Sequence, residues 1–486
     1  MLLNAAEVGR VRWAVVAMAA CGCANPMHGA PPPPNGLPAD APTPVSSIPA
    51  SEPIDAGTAA SGHAVGAEPV AASGSWWRTY AGTDSSARDS AVDVAVDARV
   101  RATVLANLAQ RAFGVLAYEP DGTLAWASSF HDPADDADVP VRIATDASGN
   151  VYAAGTASRG SPAVQSYVIV SFDASGALRW SVHAGAGALS DLRVEDDGRA
   201  AATGVGSDGT HAVARTVALD AAGDILWQAS EVGPLGLGAA GRHVALDTSR
   251  NAYVAGESTD GSHDQVTLFA YDPSGARRWM VRTNEDPTQV PQSTAQALAL
   301  DSSGAPYVAV ARAFRPTQDD EPTVELAAAK WDPAGSVLWT ATVAVETRNV
   351  ATAIAVDARG RATVTGFAGD PTPDAYLTAQ FDPSGRTLWT NRDGWDAAGQ
   401  HEARALAIDG AGDVHVTGTA YGPDGIADFG SIVYDASGAV ISRGLDGDGA
   451  DRMAAAAALA LDGAFYVVGS TLASPRAEVG VLRTSP

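Results

Sequence analysis

A turn that recurs about every fifty residues constrains this 486-residue chain more than any other feature. It reads FDASGALRW at Phe172 to Trp180 and FDPSGRTLW at Phe381 to Trp389. Variants begin at Tyr118 (YEPDGTLAW), Leu219 (LDAAGDILW), Tyr271 (YDPSGARRW) and Trp331 (WDPAGSVLW). A repeat of this length belongs to solenoids, propellers and arrays, in which each unit buries its apolar face only against its neighbours.

The turn chemistry is specific. Asp at the first position accepts local hydrogen bonds, Pro or Ala follows, and Gly at the fourth position tolerates the backbone that closes a type I turn. A second motif lies between these turns, as in IATDASGNVYAAG from Ile143, IAVDARGRATVTG from Ile354 and LAIDGAGDVHVTG from Leu406. An alternating apolar stretch runs into Asp, turns at Gly and continues as an apolar strand. Counting Asp97, Asp146, Asp196, Asp247, Asp301, Asp357, Asp409 and Asp462 as its acidic residue gives eight copies.

Each unit therefore holds four short strands of period two, and no helical periodicity competes with them between residues 75 and 486. Four-stranded units in series are the blades of a β-propeller. The sequence predicts an all-β, eight-bladed propeller. SWWRTYAG, from Ser75 to Gly82, resembles a fourth strand lacking the first three, whereas the C-terminal segment from Leu459 resembles three strands lacking a fourth. Joining them would close the ring and remove exposed sheet edges. Trp77, Trp126, Trp180, Trp227, Trp279, Trp339 and Trp389 are assigned one repeat position, with Ile441 replacing Trp in the seventh turn. One Trp per unit reads as packing between blades.

The paired motifs resemble a bacterial β-propeller repeat family, here of lipoprotein type, whose units read roughly AVDxxGNxYVxG followed by a KLDxxGxxxW-like strand. The likeness covers nearly all of residues 75–486 and implies a secreted or surface location more than any activity. Quinoprotein dehydrogenases also carry Asp, Gly and Trp in each of eight blades, but the Asp173 to Trp180 step is one residue shorter than in that repeat. The sialidase Asp-box differs too, with its Gly and Trp at other steps.

Residues 1–23 read as a signal segment. Arg10 and Arg12 precede a short apolar run from Trp13 to Ala20. Met18-Ala19-Ala20-Cys21 resembles a bacterial lipobox, which implies lipidation of Cys21, with simple secretion as the alternative. Cys21 and Cys23 are the only cysteines, so the remaining chain has neither a disulfide framework nor a thiolate metal site. Residues 24–74, rich in Pro, Ala, Gly and Ser, read as a disordered tether, and residues 75–486 as the propeller.

A net charge of −25 and a single lysine, Lys330, exclude a phosphate-binding surface and hence nucleic acid. They also exclude electrostatic adsorption to anionic lipid, leaving a lipid anchor as the expected membrane contact. Asp446, Asp448 and Asp451 form a Gly-rich acidic loop that could offer oxygen ligands to Ca²⁺, although it lacks EF-hand spacing. No other cofactor is expected. No HExxH, GxSxG or phosphate-loop motif is present. The resulting expectation is a monomeric, non-enzymatic binding scaffold in the bacterial envelope, with an unidentified protein or glycan partner. The alternative is an envelope enzyme with a site in the central channel, either a quinoprotein-like oxidoreductase or a glycan-cleaving enzyme. Function is expected where the repeat breaks: at Ile441, at the 446–451 loop, and in the insertion at residues 312–323 of the long fifth unit.

Overall fold

The computed structural model describes residues 75–82, 89–108, 112–283, 285–290, 292–314, 323–369, 374–395, 399–446, 452–460, 463–471 and 477–484. Cys21, the tether, Asp448, Asp451 and Asp462 lie outside these residues, as does most of the 312–323 insertion. Among the described residues there are thirty-two strands and no helix. They form antiparallel four-stranded meanders over residues 90–130, 137–186, 188–231, 239–282, 292–343, 348–393 and 402–446, here units 1 to 7. Units 5 and 6 join into one eight-stranded sheet through a single parallel pairing of Val324 with Arg348. A further sheet, unit 8, contains Arg452–Leu459, Phe465–Thr471 and Glu478–Arg483, with the N-terminal strand Trp76–Tyr80 paired antiparallel to Glu478–Arg483.

The turn residues act as their chemistry predicts. In the turn after Phe172, the Gly176 N–H donates to the Asp173 carbonyl, and the Asp173 N–H donates to the Ala177 carbonyl. The Asp173 carboxylate accepts from the N–H groups of Ser175 and Ala177 and from the Ser175 hydroxyl. Gly176 sits at φ +87°, a left-handed backbone that completes the hairpin.

Two units begin their inner turn elsewhere than expected. In unit 3 the turn starts at Glu195, whose carbonyl accepts from Gly198 N–H, so Asp196 is its second residue. In unit 8 it starts at Ala460, whose carbonyl accepts from Gly463 N–H. The hydrogen bond from the fourth residue, Gly in six units but Val100 and Arg250 in units 1 and 4, sets the first position, and it does not require Asp there.

The middle two strands of each unit are almost wholly buried, whereas the first and last are half-exposed. Apolar clusters fill the spaces between successive sheets. Phe113 and Val115 of unit 1 meet Val168 and Val170 of unit 2, and Leu326 of unit 5 meets Leu377 of unit 6. Phe429 of unit 7 packs with Phe465 and Val467 of unit 8. Tyr466 and Val481 of unit 8 pack in turn with Val104 and Leu116 of unit 1.

Candidate functional site

Antiparallel meanders send the connections between strands one and two, and between three and four, to one end of every sheet. The turns of both repeated motifs lie at that end, whereas the short turns at Asp208-Gly209, Asp260-Gly261 and Asp424-Gly425 belong to the other. The other connections, irregular in length and sequence, collect at the opposite end.

The tight-turn end is locked by Trp. The Trp126 indole N–H donates to the Ala174 carbonyl of the next unit's turn at 3.1 Å, and its ring covers Gly176. Trp180 repeats this on Ala221 and Gly223, Trp279 on Pro333 and Gly335, and Trp339 on Pro383 and Gly385. Trp227 covers Gly275, and Trp389 covers Gly438.

Two sequence assignments need correction. The N-terminal member is Trp76, which pairs with Arg483, donates to the Pro120 carbonyl at 2.8 Å and covers Gly122. Trp77 faces the other way, against Phe429 of unit 7 and beneath Arg452. In unit 7 the equivalent position is Ser442, paired with Val433 as Trp180 is with Ser171, whereas Ile441 is an exposed neighbour. The reason is geometric. The sheet after unit 7 is completed by the two chain termini, so it has no third-to-fourth strand turn for a Trp to cover.

A second pattern was hidden in the sequence. Each first strand carries a β-bulge, and the residue after it stands four positions before the inner turn. Units 1 to 4 place Asp93, Arg142, Asp191 and His243 there, whereas units 5 to 8 place Ala297, Ala353, Ala405 and Ala456. The polar four bind one another and the strand backbone. Asp191 accepts from Arg142 Nε at 2.9 Å and from the Val244 N–H at 3.0 Å, and Asp93 accepts from the N–H groups of Ile143 and Val94. Burial raises the Asp93 carboxyl above its ordinary value and pushes the His243 imidazole down to about 4, so this ring is neutral at pH 7. Aligning every unit on its inner turn would have exposed this contrast.

The irregular end holds three further features. Asp132, Asp135 and His183 converge where the unit 1 to unit 2 crossover meets the last strand of unit 2, Leu178–Ala186. Partial burial raises the Asp132 carboxyl, but the Ala134 N–H and the His183 ring hold it below its ordinary value overall. Tyr376, Trp395, His401 and Tyr421 form an aromatic nest at unit 7. A cleft of about 350 Å³ separates units 4 and 5, with Val266, Val281, Val310 and Ala327 as its apolar wall. Arg312 lies at the same cleft, paired with Glu285 at 2.7 Å. Asp446 ends the last strand of unit 7, and burial raises its carboxyl.

No protein-family model matches the chain, and no curated protein matches it. Among solved structures it is similar to the Dos1 propeller, at 12% identity and a TM-score of 0.54, over 82% of this chain and 92% of that one. It is also similar to the β-propeller domain of the trilobed protease from Pyrococcus furiosus, at 11% identity and a TM-score of 0.43, over 72% of this chain and 96% of that one. A polysaccharide lyase, an ulvan lyase, matches at 11% identity and a TM-score of 0.45, over 68% of this chain and 92% of that one. Identities this low concern the fold alone. The class is settled by the four-stranded sheets and the first of these likenesses: the chain is a β-propeller.

Proposed function

We propose that this β-propeller is an eight-bladed closed ring of the bacterial lipoprotein repeat type. In this reading Cys21 tethers it to the envelope, and it works as a non-enzymatic scaffold that binds a protein or glycan through its irregular-loop face. Supporting the ring are the eighth sheet, made from both termini, and the apolar core between that sheet and unit 1. The observation that carries the binding role is the segregation of connections. One face is a repeated Trp-on-turn lattice, and the other gathers the irregular loops, the aromatic nest and the Arg312–Glu285 pair at the unit 4 to unit 5 cleft. Function on a rigid scaffold concentrates on such loops. The polar residues after the first-strand bulges of units 1 to 4, which would line the channel of such a ring, favour binding over catalysis, because their carboxylates are engaged by backbone N–H groups and by Arg142.

The test uses the purified full chain against immobilised envelope polysaccharides and envelope protein extracts, with turnover followed in parallel. Saturable binding without product is the expected result. Appearance of unsaturated oligosaccharide or reducing ends, or dye-linked alcohol oxidation, would replace the scaffold with the enzyme. For the anchor, Cys21→Ala should move the protein from the membrane fraction to the soluble fraction; unchanged partition refutes lipidation.

A further inference from the structure

The crossover between units 1 and 2 approaches the last strand of unit 2 with three side chains whose remaining atoms face one point. His183 Nε2 lies 3.3 Å from Asp132 Oδ2 and 3.5 Å from Asp135 Oδ2. Ligand atoms around a tetrahedral ion at the ~2.0–2.2 Å bond lengths of zinc stand about 3.3–3.6 Å apart. The observed separations fall in that interval.

Every member is oriented by a partner on its other side. Asp132 Oδ1 accepts the Ala134 N–H at 2.8 Å, leaving Oδ2 toward the histidine. Asp135 Oδ1 accepts from Arg159 Nε at 3.0 Å. His183 Nδ1 is 2.9 Å from the Ser166 hydroxyl, which can take its proton and leave the Nε2 lone pair facing the two carboxylates. Metal-bound histidines are held in the required tautomer by such a partner.

Asp135 supplies the independent observation. Its side chain is only 2% exposed, yet Oδ2 has no hydrogen-bond partner. A buried, unpaired carboxylate oxygen is costly unless a cation meets it. Protonated His183 can hydrogen-bond Asp132 Oδ2 at 3.3 Å, but at 3.5 Å it leaves Asp135 Oδ2 outside hydrogen-bond length.

We propose that Asp132, Asp135 and His183 bind a divalent transition-metal ion of the zinc class, fastening the unit 1 to unit 2 crossover to the outer strand of unit 2. The imidazole selects against Ca²⁺ and Mg²⁺, which take oxygen ligands. Three protein ligands leave a coordination position for water or for an oxygen of a bound partner. Asp132 and His183, each a little over a quarter exposed, give the ion access from solvent.

The experiment is titration of metal-stripped full-length protein with Zn²⁺, Ca²⁺ and Mg²⁺, by calorimetry and by melting temperature. One Zn²⁺ per chain and a raised melting temperature are expected, with no such response to Ca²⁺ or Mg²⁺. Asp135→Asn and His183→Gln should each abolish the response, and Ser166→Ala should weaken affinity about tenfold or more. Melts without metal establish that each variant is folded, and Asp132→Asn, at the most exposed carboxylate, is the reserve. Co²⁺ bound to the wild type should give a visible spectrum without thiolate charge transfer. Absence of stoichiometric Zn²⁺ binding, binding unaffected in the folded variants, or a thiolate band from Cys21 and Cys23 would each overturn the proposal.

Discussion

Gly176 is glycine for two separate reasons, and they can be measured apart. Its φ of +87° disfavours any Cβ, and an added Cβ would stand 2.6 Å from Trp126 Cδ2. Gly176→Ala should therefore cost about 1–2 kcal/mol for the left-handed backbone plus the displacement of the ring. Trp126→Ala should cost about 2–3 kcal/mol, below the value for a fully buried aromatic because the ring is only half-buried. In urea melts the double variant should lose less than the sum of the two, since the clash vanishes with the ring. Strict additivity would mean that ring and turn do not support each other. Asp382 makes a prediction of a different kind. Its carboxylate accepts from the Ser384 hydroxyl, the Ser384 and Arg386 N–H groups and Arg386 Nε, and is lowered to about 2. A depressed acid stabilises the fold above its unfolded pKa and loses that contribution as pH falls through the folded value. Comparing the wild type with Asp382→Ala, the stability difference should shrink between pH 3.8 and about 2; a difference independent of pH in that window would count against the turn bonds. These turn residues were legible in the sequence because type I turn chemistry is local. The Trp register was legible only to within one residue at the chain's first strand, because Trp76 and Trp77 are adjacent and only packing against Gly122 distinguishes them.

At the scale of the strand, the bulge is what the sequence concealed. Alternation predicts a strand before each inner turn, but a bulge shifts the pattern by one residue without leaving a composition signature. It also frees backbone N–H groups, and the side chain that answers them belongs to the preceding unit. Asp191 is such a residue, joining Arg142 of unit 2 to Val244 of unit 4. Asp191→Ala should destabilise the protein by about 3 kcal/mol, because it leaves a buried N–H unpaired and removes a charge-assisted bond; denaturant melts within 0.5 kcal/mol of wild type would show the arc to be ornamental. His243, beside it, titrates the same arrangement. Burial first of all, with Arg142 and Arg242 adding to it and Asp191 opposing, lowers the ring from 6.5 to about 4. Since the unfolded chain takes up this proton more readily than the native one, stability should be fully present above pH 6.5 and decline as pH falls toward 4. His243→Gln should flatten that part of the stability profile relative to wild type. An unchanged slope would indicate that the ring takes up its proton as readily in the folded protein as in the unfolded chain. Asp93, Arg142, Asp191 and His243 on four units and alanine on the other four make this row of first-strand positions asymmetric, although the backbone repeat is nearly regular.

Regularity of the repeat carried the whole-molecule reading furthest. Seven covered turns and seven covering Trp residues match one to one, and the missing eighth pair falls where the chain's two ends meet. That coincidence is what the proposed closed ring would require: the junction sheet has no third-to-fourth strand turn, and unit 7 carries Ser442 in place of a Trp. The N-terminal strand then does three things at once. It completes the sheet by pairing with Glu478–Arg483, lays Trp76 over the Gly122 turn of unit 1, and sets Trp77 against Phe429 of unit 7. Tyr466 adds a hydrogen bond from unit 8 to the Val100 carbonyl of unit 1. Because one five-residue strand spans three neighbouring units, its loss should be felt throughout the domain and not only at the junction. Deleting residues 75–82 should lower the melting temperature while keeping a single transition. It should also expose the edge of Glu478–Arg483, giving concentration-dependent association in sedimentation. A two-step melt in which most of the signal keeps the wild-type midpoint would mean that the units are stabilised pairwise, as in an open solenoid. An unaltered melt and a monomeric deletion variant would remove the closing role of this strand altogether.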